Sequence, residues 1–343
     1  MGIPGLLAGC VTFGVLSVGY QVIATERDRR RFPPPGELVD IDGRRLHLWR
    51  AGRGAPAVVV VTALGAAALE WAGVQRELAR DTTVCLYDRP GLGWSPARTR
   101  PETVAGMADD LDRLLIAGHV SPPYLLVGHS LGGMVARIYA ANHPDRMLGL
   151  VLVDTPHDRQ FERAGQFLDA RVRARRLAAR LFAGARQVAP RGLVRLGADI
   201  GIARKTRAEA RQRFHGSPVE LGLALQLRNR HRCSLLGEVH ALLTAGPYLR
   251  NHAPTLGDLP LTVITRAASR PGPAGSGRTA AGTMAALTLW ADLQSELAQL
   301  STRGTLVVAE HAGHHIHREE PDVICRAVRE IIADAQPCPL RRT

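Results

Sequence analysis

Apolar residues in this chain alternate between short continuous runs and longer stretches in which they recur every third or fourth position. The runs at Ala57–Val61, 84–87, 124–127, 148–153, 261–265 and 305–308 are almost wholly apolar, as strands buried on both faces of a sheet must be. Between them, 71–80, 103–117, Leu131–Asn142 and Pro321–Ala335 carry helix-spaced apolar positions. Strands alternating with helices predict a mostly parallel sheet covered on both faces. Ahead of these, Glu37–Ile41 and 44–50 flank Asp42-Gly43, a dipeptide suited to the positive φ angles of a two-residue hairpin turn, so the sheet is expected to open with an antiparallel pair. No internal repeat is visible. At 343 residues with 45% hydrophobic composition, the chain can bury one large core and still carry an insertion.

The strand at 124–127 runs into Gly128-His129-Ser130-Leu131-Gly132, and a helical stretch follows at once. Strand, sharp turn and helix with serine at the apex is the arrangement that thrusts a nucleophilic hydroxyl clear of the backbone. The glycines at 128 and 132 let the strand and the helix approach closely enough to make the turn.

On this elbow the chain resembles the α/β-hydrolase superfamily, and further landmarks recur in order. Thr62-Ala63-Leu64-Gly65 follows the strand 57–61 where relatives carry an oxyanion loop, and Asp88-Arg89-Pro90-Gly91-Leu92-Gly93-Trp94-Ser95 looks like the turn after strand four. Asp154 ends the strand 148–153, and Ala312-Gly313-His314 follows the last strand. The resemblance covers about residues 36–335. It implies a mostly parallel eight-stranded sheet with helices on both faces and a helical lid inserted after strand six. The units are then 1–35 as hydrophobic segment, basic collar and Pro-rich spacer, 36–155 and 256–335 as core, 156–255 as basic lid, and 336–343 as tail.

The resemblance also assigns roles. Ser130 is the nucleophile and His314 the base, with His315 taking that role if the alignment slips by one. The N–H groups of Leu64 and Leu131 form the oxyanion hole. Relatives most often place the acid after the strand 261–265, yet 266–289 contains neither Asp nor Glu. Asp154 is the replacement, as in some branches of the superfamily, with Asp292 as the alternative; Asp88 is expected to tie its own turn together. His311, His315 and His317 crowd one loop, but their spacing matches no recognised ligand pattern, so neither metal nor cofactor is assigned. A serine nucleophile argues against the dehalogenase and epoxide hydrolase branches, whose elbows carry aspartate. An esterase acting on a lipophilic carboxylic ester is the leading reading. Peptidase, carbon-carbon hydrolase and cofactor-free haloperoxidase chemistry stay open, as does a membrane-tethered binding protein without turnover.

Two features bear on location. No charged residue occurs from Ile3 to Ala24, a span long enough to cross a bilayer, and Arg27, Arg29, Arg30, Arg31 and Pro33-Pro34-Pro35 follow. The expectation is a single-pass membrane anchor with the catalytic part on the cytoplasmic side, the rival being secretion after cleavage of a signal peptide. The formal charge is +13, and the stretch 157–252 holds 19 Arg and Lys against 7 Asp and Glu. Its basic stretch 171–182 reads as an amphipathic helix for a solvated face or anionic lipid headgroups, and no nucleic-acid partner is expected. Five cysteines without paired spacing argue against a disulfide framework.

Overall fold

The computed structural model describes residues 3–97, 102–166, 191–214, 216–267 and 280–335. Eight strands form one sheet: β1 (Glu37–Ile41), β2 (Arg44–Ala51), β3 (Ala57–Val61), β4 (Thr83–Tyr87), β5 (Tyr124–His129), β6 (Met147–Val153), β7 (Leu261–Arg266) and β8 (Gly304–Ala309). Their spatial order is β1-β2-β4-β3-β5-β6-β7-β8. Strand β2 runs antiparallel to both neighbours, β1 and β4, and the remaining pairs are parallel. The β1–β2 hairpin turns through Asp42 and Gly43, whose φ angles are 54° and 78°, the positive values that an Asp-Gly turn supplies.

The helices are α1 (Ile3–Arg31), α2 (Ala72–Leu78), α3 (Val104–Ala117), α4 (Leu131–Asn142), α5 (Gln160–Gln166), α6 (Arg191–Asp199), α7 (Arg204–Arg213), α8 (Val219–Gln226), α9 (Asn229–His252), α10 (Ala280–Ala298), α11 (Ile316–Glu319) and α12 (Pro321–Ala335). Helix α3 starts where the Thr103 hydroxyl accepts the Gly106 N–H at 3.0 Å, an N-cap that satisfies an otherwise orphaned donor. The strands split their side chains between two cores with period two. Ala57, Val59 and Val61 join Tyr124, Leu126, Leu150 and Leu152 on one face, packed by α3 and α4. Val58, Val60, Leu125, Val127, Val151 and Val153 join the other, packed by α2 and α12. Parallel strands covered on both sides need apolar residues at every position, which is why these runs read as continuous in the sequence. Helices α5 to α9 lie between β6 and β7. The basic stretch 171–182, most of the Ala/Gly/Pro/Ser-rich stretch 267–282 and the tail 336–343 lie outside the described residues.

The N-terminal segment corrects the sequence expectation of a membrane anchor. Among the described residues no helix is long and apolar enough to cross a membrane, so the single-pass, membrane-anchored assignment falls. Freedom from charge is not apolarity: Gly5, Gly9, Gly14, Gly19, Thr12, Ser17, Tyr20 and Gln21 dilute the segment. Several of its polar groups are bonded to the helices between β6 and β7. Gln21 donates to the Leu227 carbonyl at 2.9 Å, the Tyr20 hydroxyl donates to Asp199 at 2.8 Å, and buried Asp28 pairs with buried Arg195 at 2.6 Å.

Candidate active site

The elbow is made possible by three glycines whose α-carbons face backbone or a packed side chain. A Cβ on Gly128 would lie 2.5 Å from the Gly133 Cα, one on Gly132 would lie 2.0 Å from the Val61 carbonyl oxygen, and one on Gly133 would meet the Thr155 hydroxyl at 2.0 Å. With no Cβ at these points, α4 seats its first turn directly on the ends of β3 and β6. Ser130 sits at the turn with φ 53° and ψ −121°, a strained combination for a residue other than glycine. Its N–H is held by the Val153 carbonyl at 3.0 Å.

Asp154 and His314 meet as the sequence expectation has it. The Nδ1 of His314 lies 2.6 Å from Asp154 Oδ2. The carboxylate is wholly buried and also takes the Arg266 guanidinium and the Arg266 N–H at 3.3 Å. Burial by itself would raise the Asp154 pKa, but the hydrogen bond from His314 and the Arg266 charge outweigh it and hold the carboxyl below its ordinary value. Asp154 is therefore an anion at neutral pH, able to fix the imidazole with its Nδ1 protonated and its Nε2 free. The guanidinium of Arg266 stacks on Trp290 at 4.1 Å, which keeps it on the carboxylate. Asp292 is exposed on α10 and makes no bond to His314. Among the described residues His315 bonds no carboxylate, and the His311 side chain is exposed to solvent. Ser130 and His314 are linked through the elbow itself: the His129 Nε2 donates to the His314 carbonyl at 2.9 Å, and the two imidazole rings are 4.8 Å apart. Among the described residues, no hydrogen bond joins the Ser130 hydroxyl to His314.

The loop after β3 is clamped from three directions. Arg89 is buried and donates to the carbonyls of Thr62 at 2.6 Å and Ala63 at 2.7 Å. Glu238 of α9 pairs with Arg89 at 2.6 Å and accepts the Gly65 N–H at 2.7 Å. Arg213 of α7 reaches the Gly65 carbonyl and pairs with Glu70 at 2.8 Å. Among the described residues, the N–H groups of Leu64 and Leu131 have no hydrogen-bond partner, so both remain free donors. Asp88 serves its own turn: it is buried, accepts the N–H groups of Ala68 at 2.7 Å and Trp94 at 3.0 Å, and lies 2.7 Å from His47 Nδ1.

Sequence reasoning missed Arg89, Glu238, Arg213 and Arg266. Glu238 left a faint signal, as one of only 7 acids beside 19 bases in its stretch. Its pairing with Arg89, 149 positions earlier, is visible only in three dimensions.

A family model described as alpha/beta hydrolase fold matches residues 56–204. Among solved structures, the enol-lactonase from Burkholderia xenovorans LB400 superposes with TM-score 0.58 at 20% identity, covering 87% of this chain and 100% of that one. The thermophilic esterase from Thermogutta terrifontis superposes with TM-score 0.55 at 21% identity, covering 87% of this chain and 96% of that one. In sequence, an uncharacterized protein of Schizosaccharomyces pombe is 27% identical over 274 residues, 77% of this chain and 44% of that protein. The pimeloyl-[acyl-carrier protein] methyl ester esterase of Chromobacterium violaceum is 41% identical over 100 residues, 29% of this chain and 37% of that protein. The chain thus spans less than half the length of these curated relatives. With its eight-stranded sheet, its strand order and its serine elbow, the chain has the α/β-hydrolase fold.

Proposed function

We propose that this protein is a serine hydrolase that cleaves a carboxylic ester through an acyl-enzyme on Ser130. The single observation that carries this reading is the 2.6 Å contact between His314 and the buried Asp154 carboxylate, set beside a strained serine elbow. In the mechanism, Nε2 of His314 takes the Ser130 hydroxyl proton as the oxygen attacks the ester carbonyl. The carbonyl π electrons move onto oxygen, where the free N–H groups of Leu64 and Leu131 hold the charge. Collapse of the tetrahedral intermediate expels the alcohol, which takes its proton from His314. Water, deprotonated by the same nitrogen, then attacks the acyl-enzyme; collapse releases the acid, and His314 returns the proton to Ser130. Asp154 stays ionised throughout and stabilises the imidazolium formed in each half-reaction.

The enol-lactonase and esterase superpositions, and the methyl ester esterase among the relatives, all carry names of ester-cleaving proteins, which favours an ester over the peptidase, carbon-carbon hydrolase and haloperoxidase alternatives. The expectation of a lipophilic ester rests on a membrane anchor. Without that anchor the proposed substrate class is the carboxylic ester.

Fluorophosphonate labelling and p-nitrophenyl acetate hydrolysis test the proposal. The full chain should label and turn over, and Ser130→Ala should do neither. An unlabelled, inactive wild type would instead favour a binding protein that kept the fold without the chemistry.

A further inference from the structure

Beside the elbow, three histidines from two segments converge. His129 comes from the end of β5, and His315 and His317 come from the loop and short helix that follow His314. One ring nitrogen of each lies within 4.8 Å of those of the other two. His129 is fully buried and His317 is 5% exposed.

The nitrogen inventory of these rings is unusual. Neither Nδ1 nor Nε2 of His317 has a hydrogen-bond partner, although both are buried, and Nδ1 of His129 is likewise unpartnered. Buried polar atoms are nearly always satisfied, and each exception asks for a partner. His129 donates through Nε2 to the His314 carbonyl, so its neutral ring keeps one lone pair. A backbone carbonyl on the far nitrogen is how proteins orient a metal-ligating imidazole. His317 is held flat against Trp71, with ring centroids 4.6 Å apart and planes 6° from parallel, which leaves its edge to do any binding.

We propose that His129, His315 and His317 form a binding site for a borderline-soft divalent cation of the zinc type. Three imidazoles without a carboxylate suit zinc, copper or nickel over magnesium or calcium, and three protein ligands leave a fourth position for water. A tetrahedral ion at ~2.1 Å from each nitrogen separates its ligands by ~3.4 Å. Closure from the observed spread therefore needs the ring nitrogens to draw together, with the exposed His315 side chain the freest to move. A cleft of about 470 Å³ adjoins His317. It is lined by His317 together with Glu70, Glu77, Glu319 and Asp322, against Arg213 and Arg318, so its mouth carries more negative than positive charge. The three rings adjoin Ser130 and His314, and His129 bonds the His314 carbonyl, but no step of the ester mechanism uses their nitrogens.

The test is calorimetric titration of the full chain with zinc chloride after removal of adventitious metal with a chelator. Cobalt(II) visible absorption serves as a second readout, because nitrogen-bound tetrahedral cobalt gives intense ligand-field bands. One zinc per chain is expected. His315→Ala removes an exposed ligand, and His317→Phe removes a buried one while keeping a ring on Trp71. Each should weaken binding by more than the roughly 10–100-fold typical of losing an outer partner of a metal ligand. His311→Ala, on the same loop but outside the cluster, should bind as wild type does, and so should Ser130→Ala, whatever its esterase result. Absence of stoichiometric zinc binding in wild type, or unchanged affinity in His315→Ala, would overturn the proposal. Should His317→Phe fail to fold, His315→Ala alone decides.

Discussion

Replacing Asp154 by asparagine removes one charge from the candidate triad while leaving its shape in place, and the structure sets the size of the effect. Carboxylate Oδ2 is shared by His314 and the Arg266 guanidinium, whereas among the described residues Oδ1 receives only the Arg266 N–H at 3.3 Å. In Asp154→Asn, a side-chain amide placed with its NH2 at the Oδ2 position would face both a guanidinium and the imidazole donor. The lower-energy orientation puts the oxygen there and gives up the weaker bond at Oδ1. His314 then keeps its tautomer, and the loss is electrostatic. With charge centres ~4 Å apart and an effective dielectric constant of ~20, the imidazolium–carboxylate attraction is about 4 kcal/mol. At 1.36 kcal/mol per decade this corresponds to a fall in kcat of about 10³-fold with KM little changed. The assay is steady-state hydrolysis of p-nitrophenyl acetate by wild type and Asp154→Asn, with circular dichroism melts to show that both are folded. A folded Asp154→Asn enzyme within tenfold of wild-type kcat would refute the reasoning and move the acid elsewhere. A loss nearer 10⁴-fold would mean that the amide had turned and the tautomer was wrong as well.

Three further outcomes follow from contacts around the site. Gly132→Ala would drive a methyl to 2.0 Å from the Val61 carbonyl oxygen; a backbone obstacle cannot rotate away, so destabilisation of about 3 kcal/mol or more is expected in urea melts, and a change under 1 kcal/mol would contradict the packing. Arg89→Met strands the buried Glu238 carboxylate and unties the Thr62 and Ala63 carbonyls, so it should cost about 3–5 kcal/mol and lower kcat, whereas the double change Arg89→Met with Glu238→Leu should recover part of the stability and little of the activity. Burial alone would depress the His47 pKa, but its bond to Asp88 and that carboxylate's charge raise it above its ordinary value of 6.5. The stability it contributes is fully present below pH 6.5 and is lost as pH rises through the higher folded value. Melting temperature should therefore decline from about pH 6 toward alkaline pH more in wild type than in His47→Gln; matching pH profiles would remove His47 from this role.

Much of the architecture was legible because it rests on local rules. Continuous apolar runs identify doubly covered strands, Asp42-Gly43 sets a hairpin, and Gly128-His129-Ser130-Leu131-Gly132 announces an elbow whose glycines the packing then requires. The candidate nucleophile, base and acid sit at strand ends and loops whose order along the chain is itself the signal. The N-terminal helix misleads for a physical reason. Lack of charge imitates hydrophobicity, although glycines and hydroxyl and amide groups lower the hydropathy of that segment and several bond back to the protein.

The sheet, the helices that cover it and the position of the serine elbow each depend on residues near one another in the chain, and the amino-acid order alone is enough to specify them. Which groups support those positions is a property of the folded molecule. Arg266 is separated from Asp154 by 112 residues, Arg89 from Glu238 by 149, and Gly65 from Glu238 by 173. His129 lies apart in sequence from His315 and His317, and the three meet because β5 ends beside the loop that follows β8. A charge or a ring nitrogen carries no periodic mark that announces its partner; the pairing arises when the sheet order places distant loops at one edge, where burial makes an unpaired group costly.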